Sequence, residues 1–432
     1  MKRSPDDETG LTAQSSAAAD IRVGRFRYVM VSLLLVTMII ASADRVNLSL
    51  LLVDGEFLRT MGIENQPAAQ GVLMSAFVLA YGLGNVVFGP AIDWFGGRRA
   101  LLVMHGLWSG LGVFTASVGA MGPMIIGRIL RGGSEGPIFP TMNHLVRGWF
   151  PSRERGQANA IWVMGPSLGM AATVPVLALV IPAYGWRVSF LAVAALSLLL
   201  GLPATFVMIS DRPTESRWVN AAEAAHIESG VGEGIVAPRW RDALLFIGNY
   251  RYWLLVAYHL ASLAILWGLV TWLPKYLVEA RGMDITISGL LTAVPYIVAA
   301  LSTLLFGWLS DRLSRRAPFC ALQMLGGAAA LFAAASVESA TASVALMAIA
   351  FGFWGMGAAV THTLVQSIVP AGVISTGSGI DNGVANLGAA ACPALVGYTI
   401  GVSGSYFAGL MVLVAAAVVG GLLMVVLSLQ DY

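Results

Sequence analysis

Apolar runs of about twenty residues succeed one another along nearly the whole chain, and each is long enough to cross the hydrocarbon core of a bilayer as a helix. They fall near residues 28–51, 70–92, 100–120, 122–146, 158–180, 187–209, 252–274, 287–309, 318–336, 342–369, 376–400 and 404–429, twelve in all. The runs are continuous, not alternating, which excludes a membrane β-barrel. Of 432 residues, 57% are hydrophobic and 11% charged, with a mean hydropathy of +0.77. Soluble globular chains lie far from these values. The fold class that follows is an all-α polytopic membrane protein with twelve transmembrane helices.

Cytoplasmic loops of such proteins carry an excess of Lys and Arg. With the N-terminus inside, eighteen of the 25 basic residues fall on inner segments and four (Arg59, Arg187, Lys275 and Arg281) on outer loops. Both termini are therefore expected in the cytoplasm, with a bacterial inner membrane as the location. A formal net charge of +2 makes no case for a nucleic-acid partner. Membrane lipid is the expected neighbour. Cys320 and Cys392 sit in apolar segments and suggest neither a disulfide framework nor a metal site. His105, His144, His259 and His362 lie in spans without metal-ligand spacing. Residues 1–27 read as a disordered cytoplasmic N-terminus, and no cleavable signal pattern precedes the first run.

A polar linker at 210–251 divides the runs six and six, with an N-terminal bundle over 28–209 and a C-terminal bundle over 252–429. The halves echo each other. Gly89-Pro90-Ala91-Ile92-Asp93 precedes Arg98 between spans 2 and 3, and Gly307-Trp308-Leu309-Ser310-Asp311 precedes Arg312 between spans 8 and 9. The repetition points to two pseudo-symmetric six-helix bundles. Gly89, Asp93, Arg98, Asp311 and Arg312 form the expected cytoplasmic gate: glycine for helix contact, aspartate to pair with arginine in one state and release it in the other.

Span 4 carries charges at a depth where each costs at least ~2.5–3.5 kcal/mol. Arg128, Arg131, Gly132 and Glu135 recur at i, i+3, i+4 and i+7, so they share one helix face. The stripe reads either as the wall of a solute path or as an internal ion pair that fixes packing. Span 1 ends in Asp44-Arg45-Val46-Asn47-Leu48-Ser49. Adjacent helical residues diverge by about 100°, so Asp44 and Arg45 are not expected to pair with each other. Arginine binds a carboxylate through a planar fork and stays charged. A buried carboxyl gains proton affinity from desolvation and loses it to a nearby arginine. Asp44 and Glu135 are therefore either proton sites or permanently ionised salt-bridge partners.

These motifs resemble the major facilitator superfamily, and within it the anion:cation symporter branch. That branch includes bacterial permeases for galactonate, glucarate and phthalate, and the sialin and vesicular glutamate carriers. The end of span 1 is similar to the branch's Asp-Arg-x-Asn-Leu-Ser. Arg128 and Glu135, followed by Phe139-Pro140, Trp149-Phe150-Pro151 and Glu154-Arg155, resemble its span 4 signature. Thr271-Trp272-Leu273-Pro274-Lys275-Tyr276 closes span 7 in a similar way. The resemblance covers nearly the whole chain after residue 25.

The resemblance implies a secondary active transporter, not an enzyme. It would carry out proton-coupled symport of a small organic anion, a sugar acid or related carboxylate, by alternating access. No cofactor beyond the coupling proton is implied, and a monomer is expected. Asp44, Glu135 and Arg128 are the implied proton-coupling residues, with Arg128 controlling Glu135. Arg45, Arg128 and Tyr81 are the implied substrate residues, and Asn386 is the better of the pair Asn382 and Asn386. Asn47, Trp272, Tyr276, Thr361 and Thr363 are further polar and aromatic candidates. Arg131 stands where the branch is usually apolar. It either adds a second positive charge near the substrate, favouring a dicarboxylate, or lies off the cavity against lipid or another helix. An exchanger or uniporter using the same arginines is the alternative within transport, and a non-transporting membrane receptor the alternative outside it.

Overall fold

The computed structural model describes residues 23–88, 91–151, 154–231, 247–310, 317–369 and 374–430. Of residues 1–27, expected to be disordered, 1–22 lie outside the described residues, whereas Phe26 and Arg27 already belong to the first helix and Arg27 is buried. The gate residues Gly89, Asp311 and Arg312 also lie outside the described residues, as do the side chains of Asp93 and Thr363. In a bilayer, backbone hydrogen bonds have to be made internally, and a helix makes them within one segment. The described residues accordingly form helices and turns, with no strand among them. The first half contains α1 (Phe26–Leu51), α2 (Pro67–Phe88), α3 (Gly97–Ser117), α4 (Met121–Glu135), α5 (Ile138–Trp149), α6 (Gly165–Tyr184) and α7 (Trp186–Leu196). The second contains α8 (Tyr250–Lys275), α9 (Ile285–Ser310), α10 (Ala317–Ser336), α11 (Ala340–Ile368), α12 (Ile374–Ala389), α13 (Cys392–Ser403) and α14 (Tyr406–Ser428).

Eleven helices among the described residues are long and apolar enough to cross a membrane. The remaining crossing is α4 with α5, which carries Arg128, Arg131 and Glu135 and is broken at Gly136-Pro137. Pro137 has no N–H to continue the ladder. Its carbonyl instead accepts from both the Thr141 amide, at 3.0 Å, and the Thr141 hydroxyl, at 2.8 Å, and α5 starts from there. Side chains such as Leu199 and Val402, 74% and 72% exposed, form the apolar outer surface that lipid would cover. The protein is a multi-pass membrane protein.

Within the first half, α1 packs on α6, and α4 on α2. The second contact is backbone-close: a Cβ on Gly132 would lie 2.2 Å from the Phe77 carbonyl oxygen, so any side chain there would push α4 away. The halves meet where α2 lies against α12 and α13, and α6 against α9.

One end of this junction is closed by a lysine. The sequence reading put Lys275 in an outer loop. Instead α8 runs on through it, and the residue is 2% exposed. Its ammonium donates to the Leu52 carbonyl at 3.0 Å and to Gln70 Oε1 at 2.7 Å, both in the first half, and pairs with Glu279 at 3.1 Å in its own half. Three acceptors match the three N–H bonds of an ammonium. Beside it, the Trp272 indole donates to the Pro393 carbonyl at 3.0 Å, and the Ala394 amide to Ser75 Oγ at 3.2 Å.

At the other end, the connecting helix Ala221–Val231 docks on the first half. Glu223 accepts from the Phe26 and Arg27 amides at 3.2 and 3.0 Å, satisfying the open N-terminus of α1. Glu154 accepts from Arg27 Nε at 2.9 Å and meets His226 Nε2 at 2.8 Å. Burial works to raise the proton affinity of Glu154. The bonds from His226 and Arg27 outweigh it and hold the carboxyl below its ordinary range.

Two outcomes follow from these ends. Lys275→Met removes both bonds across the junction, so a cysteine placed at Ser75 should react faster with a water-soluble thiol reagent than in a Lys275 background. Glu154→Gln should speed hydrogen exchange in 221–231. Acid should do the same once exchange is divided by its pH-dependent intrinsic rate: a carboxylate held low contributes docking above its ordinary range that is lost as pH falls through its lowered pKa, so the protection of 221–231 in wild type should fall at acid pH.

Candidate functional site

Five charged side chains lie between α1 and α4. Asp44 and Arg45 are 4% exposed, Arg131 3%, and Arg128 and Glu135 fully buried. Arg128 Nη1 donates to Asp44 Oδ2 at 2.7 Å. Arg45 Nε donates to Glu135 Oε1 at 2.6 Å, and its Nη2 lies against the same oxygen. The expected control of Glu135 by Arg128 is therefore not a direct pairing. Arg128 and Glu135 are seven residues apart, about 10 Å along a helix axis. Each reaches α1 at its own level, and the divergence of Asp44 and Arg45 lets each meet a different partner. Arg131 lies against neither lipid nor solvent. Its Nε is 3.6 Å from Asp44 Oδ2 and 3.7 Å from Glu135 Oε2, between the two carboxylates.

Aromatic faces complete the surroundings. Arg45 lies over Tyr81 and Trp267 at 5.2 and 5.4 Å, Arg128 over Phe77 at 4.7 Å, and Arg131 over Trp108 at 4.9 Å. An aromatic face attracts a cation without neutralising it. Trp267 belongs to α8, so the second half reaches the cluster through a ring. Its indole donates to Asn386 Oδ1 at 3.1 Å, and Asn386 in turn donates to the Asn382 carbonyl at 2.9 Å. The Asn47 amide and Arg128 Nε and Nη2 are buried without a hydrogen-bond partner. Buried donors of this kind are costly to leave unpaired.

Other expected residues are engaged elsewhere. Trp272 is bound to Pro393 at the Lys275 end. The Tyr276 hydroxyl accepts from Arg281 Nε at 2.7 Å and lies 2.9 Å from Ser343 Oγ. Thr361 donates to the Gly357 carbonyl at 2.8 Å and lies 3.0 Å from the Tyr258 hydroxyl. Each of these side chains already has its partners. Arg98 uses its amide on Asp211 Oδ1 at 2.9 Å and its guanidinium on the Phe206 carbonyl at 2.8 Å. Sequence reasoning missed Phe77 and Trp108. Phe77 precedes Tyr81 by one turn and stacks on it at 6.1 Å, a pattern visible in the sequence. No sequence signal ties Trp108 of α3 to Arg131.

The Major Facilitator Superfamily model matches residues 26–393 and 285–431. The chain belongs to that superfamily. Among its relatives, the D-galactonate transporter of Escherichia coli O6:H1 is 27% identical over 94% of this chain and 96% of its own. A probable sulfoacetate transporter of Cupriavidus necator is 30% identical, with 92% of each chain covered. A crystal structure of a D-xylose–proton symporter has the same fold, with a TM-score of 0.74 at 16% identity over 93% of this chain and 97% of that one. This facilitator-superfamily protein is a transporter and not an enzyme.

The cluster makes a stability prediction. Asp44→Ala or Glu135→Ala leaves three guanidiniums facing one carboxylate, and breaking a buried pair costs about 3–5 kcal/mol. Arg131→Leu leaves two matched pairs and should cost less. Thermal unfolding of the purified variants in one detergent ranks them.

Proposed function

We propose that the protein is a proton-coupled symporter of a small organic anion, a sugar acid or a related carboxylate or sulfonate. It would work by alternating access in a bacterial inner membrane, with both termini cytoplasmic and the Lys275 end outward. The observation that carries this reading is the crosswise pairing of two buried carboxylates with two arginines beside donors that have no partner. The named substrates of the galactonate and sulfoacetate relatives support the anion class.

In this reading the substrate's anionic group competes with Glu135 for Arg45, under Tyr81, Trp267 and Asn386. Glu135 loses its closest cation and, being buried, takes up a proton. Asp44 is the second proton site and is released when Arg128 turns to the substrate. Release of substrate and proton on the other side restores both pairs. Lys275 seals the outer mouth while the inner side is open. Asp93, Arg98, Asp311 and Arg312 act at the cytoplasmic mouth.

Glu135→Gln keeps the shape and a hydrogen-bonding oxygen but cannot cycle a proton. In vesicles with an imposed pH gradient it should lose concentrative uptake of labelled galactonate or sulfoacetate while retaining counterflow. Accumulation at the wild-type level would exclude Glu135 as a coupling group, and wild-type uptake indifferent to the gradient would exclude symport.

A further inference from the structure

Arg131 is the residue of the cluster that the two ion pairs leave over. It lies within ion-pair distance of both carboxylates but hydrogen-bonds to neither, its Nε and Nη2 have no hydrogen-bond partner, and it rests on Trp108 on the side of α3. It is a fixed charge, since arginine is not deprotonated in proteins. We infer that Arg131 makes this a site for doubly charged anions, acting through charge at a distance and not by contact. The inference deepens the anion-transport reading and rests on it.

The reasoning is charge balance in a place with little water. Asp44, Arg45, Arg128, Arg131 and Glu135 are all at most 4% exposed. With both carboxylates ionised, the three guanidiniums leave the empty cluster one positive charge in excess. A net charge sealed in an apolar interior is costly, so the favoured loaded state is the neutral one. With Arg131 present, the loaded cluster is neutral when the anion carries one negative charge more than the number of protons bound. One proton then accompanies a dianion. Without Arg131, neutrality needs equal numbers, and one proton accompanies a monoanion. Arg131 thus raises by one the anion charge that matches a given proton count. No charged side chain of the second half enters the cluster among the described residues, so nothing there cancels the excess. Arg131 sits between Asp44 and Glu135 and against Trp108, and in this inference Arg45 and Arg128 make the contact.

The test is ligand stabilisation of purified protein at pH 7, read as the concentration giving half of the maximal rise in Tm. Matched anions differing by one charge are compared: gluconate with glucarate, benzoate with phthalate, acetate with sulfoacetate. In wild type, at least one dianion should act at a concentration lower than its monoanion partner by on the order of tenfold or more, the scale of one unit charge acting across a protein interior. Arg131→Leu and Arg131→Gln should abolish or invert that ratio, and Arg131→Lys should keep it. The inference is overturned if no wild-type pair favours the dianion, if the neutral variants keep the ratio, or if they weaken both members of a pair equally. The last outcome would make Arg131 a packing residue. Using both Leu and Gln guards against one variant failing to fold. Binding is read without a gradient, and the charge balance asks only that one proton be bound with the dianion, so dianion preference without gradient-driven uptake would sink symport and leave proton-linked dianion binding standing.

Discussion

A buried charge is tolerable only when another charge answers it, and that constraint shapes the centre of this protein. Asp44, Arg45, Arg128, Arg131 and Glu135 hold each other between α1 and α4, at a depth where any one alone would be untenable. The neighbouring structure follows from keeping them together. Gly132 lets α4 approach the Phe77 backbone, which brings Phe77 and Tyr81 over the guanidiniums. The second half adds no charge to the cluster among the described residues. It contributes Trp267, held by Asn386, as a neutral surface.

That division of chemistry bears on how two halves could move about one site. A ring facing a guanidinium at 5.4 Å can slide or withdraw at modest cost. An ion pair across the same junction would resist separation strongly. The strong links lie inside the first half, and the halves meet at the cluster through weaker ones. Lys275 is the exception, an ammonium shared between halves at one end. Drawing the halves apart there would remove two of its three acceptors, while Glu279, 45% exposed, would stay beside it and share its exposure to water.

Much of this was legible in the sequence because membrane burial writes itself in composition. Twelve runs, the repeat after spans 2 and 8, and the charged face of span 4 all follow from hydropathy and helical periodicity. Periodicity says which residues share a face but not which helix that face meets. It therefore brought Arg128 and Glu135 together on α4 and could not show that each closes on a different residue of α1. Lys275 was hidden for a related reason. A lysine at the end of an apolar run resembles a loop residue, and only the position of Leu52 and Gln70 buries it. Tyr276 and Thr361 looked like site residues because polar groups in spans need partners, but theirs lie in the second half.

The crosswise pairing also has a consequence for coupling under the proposed cycle. Had Arg128 held Glu135, and Arg45 held Asp44, each pair would be confined to a single helix, and helix motion would leave both unchanged. In the arrangement observed, each pair joins α1 to α4, so a small shift between the two helices alters both. A substrate that takes Arg45 frees Glu135 without first disturbing Asp44 and Arg128. The two carboxylates can then gain protons in sequence, under the steady field of Arg131, which sits at nearly equal distance from both. A charge so placed favours neither carboxylate. Its position couples it to both pairs at once, so a shift of α4 against α1 changes its distance to both carboxylates together.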